Sequence, residues 1–220
     1  LLVAAIGTIL IFAAERVFVL TTTRSSEGRE WLRHCVWLHP NVISVLRMPM
    51  GLVSALLWSL GLPVAACLWF AFWMITDLTD GTIARSCNLV TDSGKWIDPL
   101  SDKLLYFPVL LYFAIAADVL PVGWVVGLIV IDTLGQLSRF FVSKKAANLF
   151  GKAKTALITV LIILAAVDGL YDMPFIGVRF LGMLTVCATI LAALSFYCKI
   201  VPDEWYANTF TLANFVCGLA

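Results

Sequence analysis

The sequence predicts an all-α integral membrane protein. It would be a bundle of six core transmembrane helices, with an N-terminal membrane or interfacial segment and the start of a further helix at the C-terminus. Three observations carry this expectation. The 220 residues are 61% hydrophobic and only 13% charged, against about 45–50% and about 25% in soluble domains. Apolar runs close to the ~20 residues that cross a bilayer recur along the chain. Lys and Arg gather in alternate connections, the pattern that positive-inside sorting produces. A net charge of +1 leaves no general case for a nucleic-acid partner.

Residues 1–23 form an apolar segment in which Glu15 and Arg16 interrupt the run, so it either spans or lies partly in the interface. It shows no initiator Met, basic leader or small-residue cleavage site, and the chain reads as a fragment cut at both ends. Residues 24–38 mix Arg24, Arg29 and Arg33 with Trp31, Leu32, Val36 and Trp37, the composition of an amphipathic helix on a membrane surface. The main domain is expected over 39–200, with spans near 40–60, 64–86, 95–117, 121–143, 153–170 and 176–198. Turns such as Gly61-Leu62-Pro63 and Leu120-Pro121 separate several of them. Residues 201–220 read as a linker and the start of a further helix or a second domain.

Orientation follows from the loops. Arg24, Arg29 and Arg33 precede the first core span, Arg85 and Lys95 flank the second-to-third connection, and Lys199 follows the sixth. Arg139, Lys144, Lys145, Lys152 and Lys154 lie between the fourth and fifth. The connections near 61–63, 118–122 and 168–175 carry no Lys or Arg. The basic side is expected to face the cytoplasm. Six scattered cysteines without a CxxC pair read as small buried hydrophobes. His34 and His39 read as interfacial side chains, and the eight Trp suit an aromatic belt.

Charged residues within spans are costly and are functional candidates by default. Here they are concentrated. Asp77 and Asp80 lie one helical turn apart at the end of the second span, and Asp98 and Asp102 lie four apart in the third. On helices each pair shares a face, so two helices can bring four carboxylates to one point. Such a group needs cations to stay ionised together. Oxygen donors with no His or Cys close by match Mg²⁺ or Mn²⁺ rather than zinc, and two such ions could clamp a diphosphate. Gly81, Ala84 and Gly94 are small enough for a substrate or helix to approach the backbone, and Arg85 offers a planar fork for phosphate. Helix caps and a turn at Asp80-Gly81 are the structural alternative.

The spacing from Asp77 to Asp102 is D-x2-D-G-x2-A-R-x8-G-x3-D-x3-D, which resembles the signature of the CDP-alcohol phosphotransferase (CDP-alcohol phosphatidyltransferase) family at every fixed position. The resemblance implies that Asp77, Asp80, Asp98 and Asp102 ligate metal. It implies that Asp102 is the general base, and that Asp77, Asp80, Gly81, Ala84, Arg85 and Gly94 accommodate the CDP group. It also implies a homodimer, surrounding membrane lipids, and phospholipid biosynthesis from CDP-diacylglycerol with release of CMP. Within the family, His39-Pro40-Asn41-Val-Ile-Ser-Val-Leu-Arg47, Asp98-Pro99-Leu100-Ser101-Asp102-Lys103 and Gly151-Lys152-Ala153-Lys154-Thr155 resemble phosphatidylglycerophosphate synthases. Their acceptor is glycerol 3-phosphate.

On that resemblance, Arg139, Lys152 and Lys154 are expected to hold the acceptor phosphate. Lys144 and Lys145 read instead as charge sorting or contacts with anionic headgroups. One position departs: where those synthases carry an Arg-Glu pair in the fourth span, this chain has Ile131 and Asp132. Asp132 is expected to position Arg139 or another polar partner, and inositol phosphate, inositol and serine stay open as acceptors. The stretch Thr211–Ala220 resembles the opening of a first span in the family's phosphatidylserine synthases. A divalent-cation transporter is the reading from another class. It would string carboxylates across the bilayer.

Overall fold

The computed structural model describes residues 2–91, 93–138, 149–171 and 176–201. Among them the regular structure is helical: α1 Leu2–Arg24, α2 Ser26–His34, α3 Pro40–Arg47, α4 Met50–Ser59, α5 Pro63–Ser86, α6 Gly94–Leu111, α7 Val122–Leu137, α8 Leu149–Tyr171 and α9 Val178–Ile200. The all-α membrane architecture expected from composition is the one observed. By length and composition, five helical stretches among the described residues can cross a membrane: α1, α3 with α4, the stretch Trp96–Ala116, α8 and α9. Large apolar side chains such as Leu52, Ile115, Ile163 and Met183 point outward, as lipid-facing positions do. The same reasoning corrects the cysteine expectation. Cys87 is buried but Cys187 is exposed on α9, because an outward thiol in a span meets lipid rather than water.

The chain divides into two compact units, Leu1–Leu120 with Ile162–Gly177, and Pro121–Leu161 with Val178–Ala220. In the first, α1 is one continuous helix through Glu15 and Arg16, and these two neighbours pair with each other at 2.6 Å. That pairing lets the helix carry both charges within an apolar run. Ser25 caps α2 by accepting from Gly28 N at 2.8 Å. Glu27 in the first turn and Arg33 and His34 in the last complement the helix dipole. Helix α2 falls within residues 24–38, the stretch whose charge pattern reads as amphipathic. Its buried Leu32 joins Val19 of α1, Ile43 of α3, and Ile83 and Cys87 of α5 in one apolar cluster. Arg33 Nε also donates to the Cys87 carbonyl at 3.1 Å, at the end of α5.

The predicted span over 40–60 is two helices, α3 and α4. The reason is Pro49, which cannot donate to the carbonyl one turn back, so the chain tightens at Met48 N to Val45 O (3.2 Å) before restarting. Helix α6 contains Pro99 and Pro108. Pro108 leaves the Leu104 carbonyl without its usual helical donor, and a wider π-helical turn follows at Tyr112–Ala116. Gly51 of α4 lies against this region. A Cβ there would come within 2.1 Å of Leu105 O and 2.7 Å of Leu104 O, so only glycine lets the two backbones meet. Helices α3 and α4 both pack on α5 and α6.

In the second unit α7 packs on α9, with Thr189 Oγ1 donating to Trp124 O at 3.2 Å. The described part of α7 is 16 residues long. The expectations for residues 202–220, including the phosphatidylserine-synthase-like stretch, lie outside the described residues.

Candidate active site

The first unit brings carboxylates from two helices, α5 and α6, onto a third, α3. Asp77 and Asp80 lie within α5, so the Asp80-Gly81 pair is helix interior rather than a turn. Helix α5 stops where Asn88 adopts φ 56° and Leu89 N reaches back to Ala84 O at 2.9 Å, the left-handed stop that Asn tolerates well. The chain then returns through a short loop into α6. Thr91 Oγ1 in that loop accepts from Asn41 Nδ2 of α3 at 3.0 Å and from the Gly94 N–H at 3.1 Å. Gly94 is buried against this contact. A Cβ there would stand 3.1 Å from Asn41 Oδ1 and 3.3 Å from Thr91 Oγ1. The loop, the start of α6 and α3 are thereby tied together, and α6 enters with Asp98 and Asp102 directed to the same side as the α5 pair.

What the four carboxylates meet there is α3. Arg47 Nη1 donates to Asp77 Oδ1 at 2.7 Å and to Asp102 Oδ1 at 2.8 Å, while Nη2 pairs with Asp80. Ser44 Oγ, one turn earlier, stands 3.0 Å from Asp80 Oδ2 and 2.9 Å from Asp98 Oδ1. The Arg47 side chain is 0% exposed and that of Asp80 4%, whereas Asp77 and Asp102 are open at 43% and 37%. The cluster therefore has a closed floor and an accessible rim.

Asn41, Ser44 and Arg47 recur every three residues along one face of α3. None of them was singled out as a site residue from the sequence. The available signal was an arginine in the middle of a predicted span, which is costly without partners, with a serine one turn before it.

Around this floor, Gly81 carries the folded-back Arg85, whose two terminal nitrogens would lie 3.6 Å from a Cβ at that position. Arg85 itself is exposed and Ala84 half-buried at the end of α5. The donor set fits a hard divalent ion: all oxygen, strongly anionic and partly open. Among the described residues, however, no group of three or more Asp, Glu, His or Cys side chains stands in metal-ligating arrangement. The carboxylates are spread around the guanidinium instead.

In the second unit Lys154 is buried and paired with Asp132, and Lys152 one turn-edge away is exposed. Asp132, expected to serve a polar partner, thus has Lys154 as one. Lys199 Nζ reaches Gly135 O at 3.4 Å. Arg139, Lys144 and Lys145 lie outside the described residues.

The site is thus a helical cluster with one guanidinium at its closed floor and Asp77 of α5 and Asp102 of α6 on its open rim. Residues 37–197 match the CDP-alcohol phosphatidyltransferase family, and the chain belongs to that family. It is 39% identical over 83 residues to the CDP-diacylglycerol–glycerol-3-phosphate 3-phosphatidyltransferase of Rickettsia bellii, covering 36% of this chain and 46% of that protein. To the Bacillus subtilis protein of the same name it is 36% identical over 97 residues, covering 42% and 49%. The chain spans about half the length of these two relatives. A Mycobacterium tuberculosis protein named "Probable phosphatidylglycerophosphate synthase" is 29% identical over 178 residues, covering 74% of this chain and 81% of the relative. No solved structure gives a significant match.

Proposed function

We propose that this chain transfers a phosphatidyl group from CDP-diacylglycerol to glycerol 3-phosphate, with release of CMP, in phospholipid biosynthesis at the cytoplasmic face of a membrane. The observation that carries the reading is the convergence of Asp77, Asp80, Asp98 and Asp102 from α5 and α6 on one face of α3. The names of the relatives support the acceptor, and the distribution of Lys and Arg supports the orientation.

Asp77, Asp80, Asp98 and Asp102 would hold Mg²⁺ or Mn²⁺, which when bound polarises the diphosphate and offsets its charge during in-line displacement. The chain's own groups do the rest. Asp102, on the open rim of the cluster, takes the proton from the acceptor hydroxyl. That hydroxyl oxygen forms a bond to the β-phosphorus, and the bond from the β-phosphorus to the bridging oxygen breaks. CMP leaves with that oxygen. Gly81 and Gly94 let the CDP group approach the backbone, and Arg85 at the end of α5 supplies a cation for its phosphate. Lys152, Lys154 and Arg139 are proposed to favour an anionic acceptor.

Release of labelled CMP from CDP-diacylglycerol by purified protein tests the reading. Glycerol 3-phosphate, inositol phosphate, inositol and serine are offered in separate reactions with Mg²⁺ or Mn²⁺. Release with glycerol 3-phosphate and its loss in Asp102→Asn are expected. Release with a different alcohol alone would replace the acceptor. No release with any of them, from folded protein that binds the metal, would overturn the transferase reading in favour of cation passage.

A further inference from the structure

Arg47 is fully buried, lies within a stretch long and apolar enough to cross a membrane and belongs to no part of the proposed chemistry. A buried charge is tolerated only where partners compensate it, and its partners here are three of the four carboxylates. The contacts are of a particular kind. Nη1 is divided between Asp77 on α5 and Asp102 on α6, Nη2 serves Asp80, and Nε has no partner among the described residues. No carboxylate therefore holds the guanidinium in the two-point fork that makes such pairs strong and fixed. Each contact is end-on and can be exchanged singly. The two carboxylates on Nη1 are the open ones, and the one on Nη2 is closed.

We propose that Arg47 is a positioning residue acting as the built-in counter-ion of this cluster. It gathers the carboxylates of α5 and α6 through these contacts, and would yield those of Nη1 with Asp77 and Asp102 to a divalent ion entering from the open rim. Asp80 stays with Nη2 and keeps α5 in register with α3. One guanidinium carries one positive charge against four carboxylates, so it holds the site together without satisfying it, and an entering cation still gains. This rests on the reading that the four carboxylates hold Mg²⁺ or Mn²⁺.

Thermal unfolding of the purified full chain in detergent, in EDTA and along a Mn²⁺ titration, tests the proposal with Arg47→Gln and Arg47→Lys. Arg47→Gln is expected to melt well below the unchanged protein in EDTA, with the gap closing as Mn²⁺ saturates. Mn²⁺ affinity, read by the loss of free-ion paramagnetic resonance signal, is expected to tighten by about fivefold or more. Arg47→Lys, which keeps the charge, should recover much of the EDTA deficit. A gap that stays constant or widens with Mn²⁺ would show a merely structural arginine and overturn the proposal.

If Arg47→Gln fails to fold, Arg47→Gln/Asp80→Asn decides. Recovery of folding on removing one repelling carboxylate supports the counter-ion role, and a further loss overturns it. Absence of any Mn²⁺ binding or stabilisation in the unchanged protein would instead overturn the metal reading itself.

Discussion

Ser44 Oγ stands 2.9 Å from Oδ1 of Asp98, a carboxylate for which no contact with Arg47 is seen among the described residues. The hydroxyl also lies near Asp80 Oδ2 and the Pro40 carbonyl, but it has a single proton to give. Asp80 already accepts from Arg47, so Asp98 gains most from it. Ser44 and Arg47 together thus reach all four carboxylates from one helix face. A hydrogen bond to a charged group contributes about 1.5–3 kcal/mol. Ser44→Ala is therefore expected to lower CMP release by about tenfold to a hundredfold, with a melting temperature shifted by only a few degrees. An unchanged rate would show that Asp98 needs no support from α3.

Asp102→Asn removes the group proposed to take the acceptor proton, while its amide oxygen still accepts from Arg47 Nη1. Loss of general-base assistance is expected to slow turnover by about 10²–10⁴-fold. Folding should be retained, as judged by gel filtration and thermal unfolding. Wild-type turnover in this variant would move the proton transfer elsewhere.

The Asp132–Lys154 pair is buried between α7 and the first turns of α8. Removing one partner of such a buried pair costs about 3–5 kcal/mol. Asp132→Asn alone and Lys154→Met alone should each lower the unfolding temperature markedly. Asp132→Asn combined with Lys154→Met should lower it less than the two losses added together. Additive losses would mean that the two groups do not stabilise one another.

Gly51→Ala places a methyl group 2.1 Å from Leu105 O on α6. Both partners at that contact are backbone, so the helices must separate, at a cost of about 1–3 kcal/mol. Because α6 carries Asp98 and Asp102, a fall in CMP release should accompany the fall in thermal stability. Gly61→Ala, in an open turn with nothing within 4 Å of the added carbon but φ at +72°, should lower stability without a comparable loss of rate per folded molecule.

Much of this protein was legible in its sequence. Hydropathy and charge are properties of residue types in order, so they specified a helical membrane protein and its short turns. The fixed spacing from Asp77 to Asp102 likewise placed two carboxylates on one face of each of two helices, because helical periodicity converts spacing into direction.

The break at Pro49 could have been read from the residue type, since proline withdraws a donor wherever it falls, but the continuous hydropathy of residues 40–60 hid it. The partners of the carboxylates were a different matter. Ser44 and Arg47 lie 30 or more residues from the acids they reach, and nothing local to α3 says which helix it will face. The pairing of Lys154 with Asp132, 22 residues apart, is of the same kind. Order along the chain determined which groups are available in this protein. Only the packing of α3 against α5 and α6 decided which of them meet, because contacts between helices depend on how whole faces fit together rather than on neighbours in sequence.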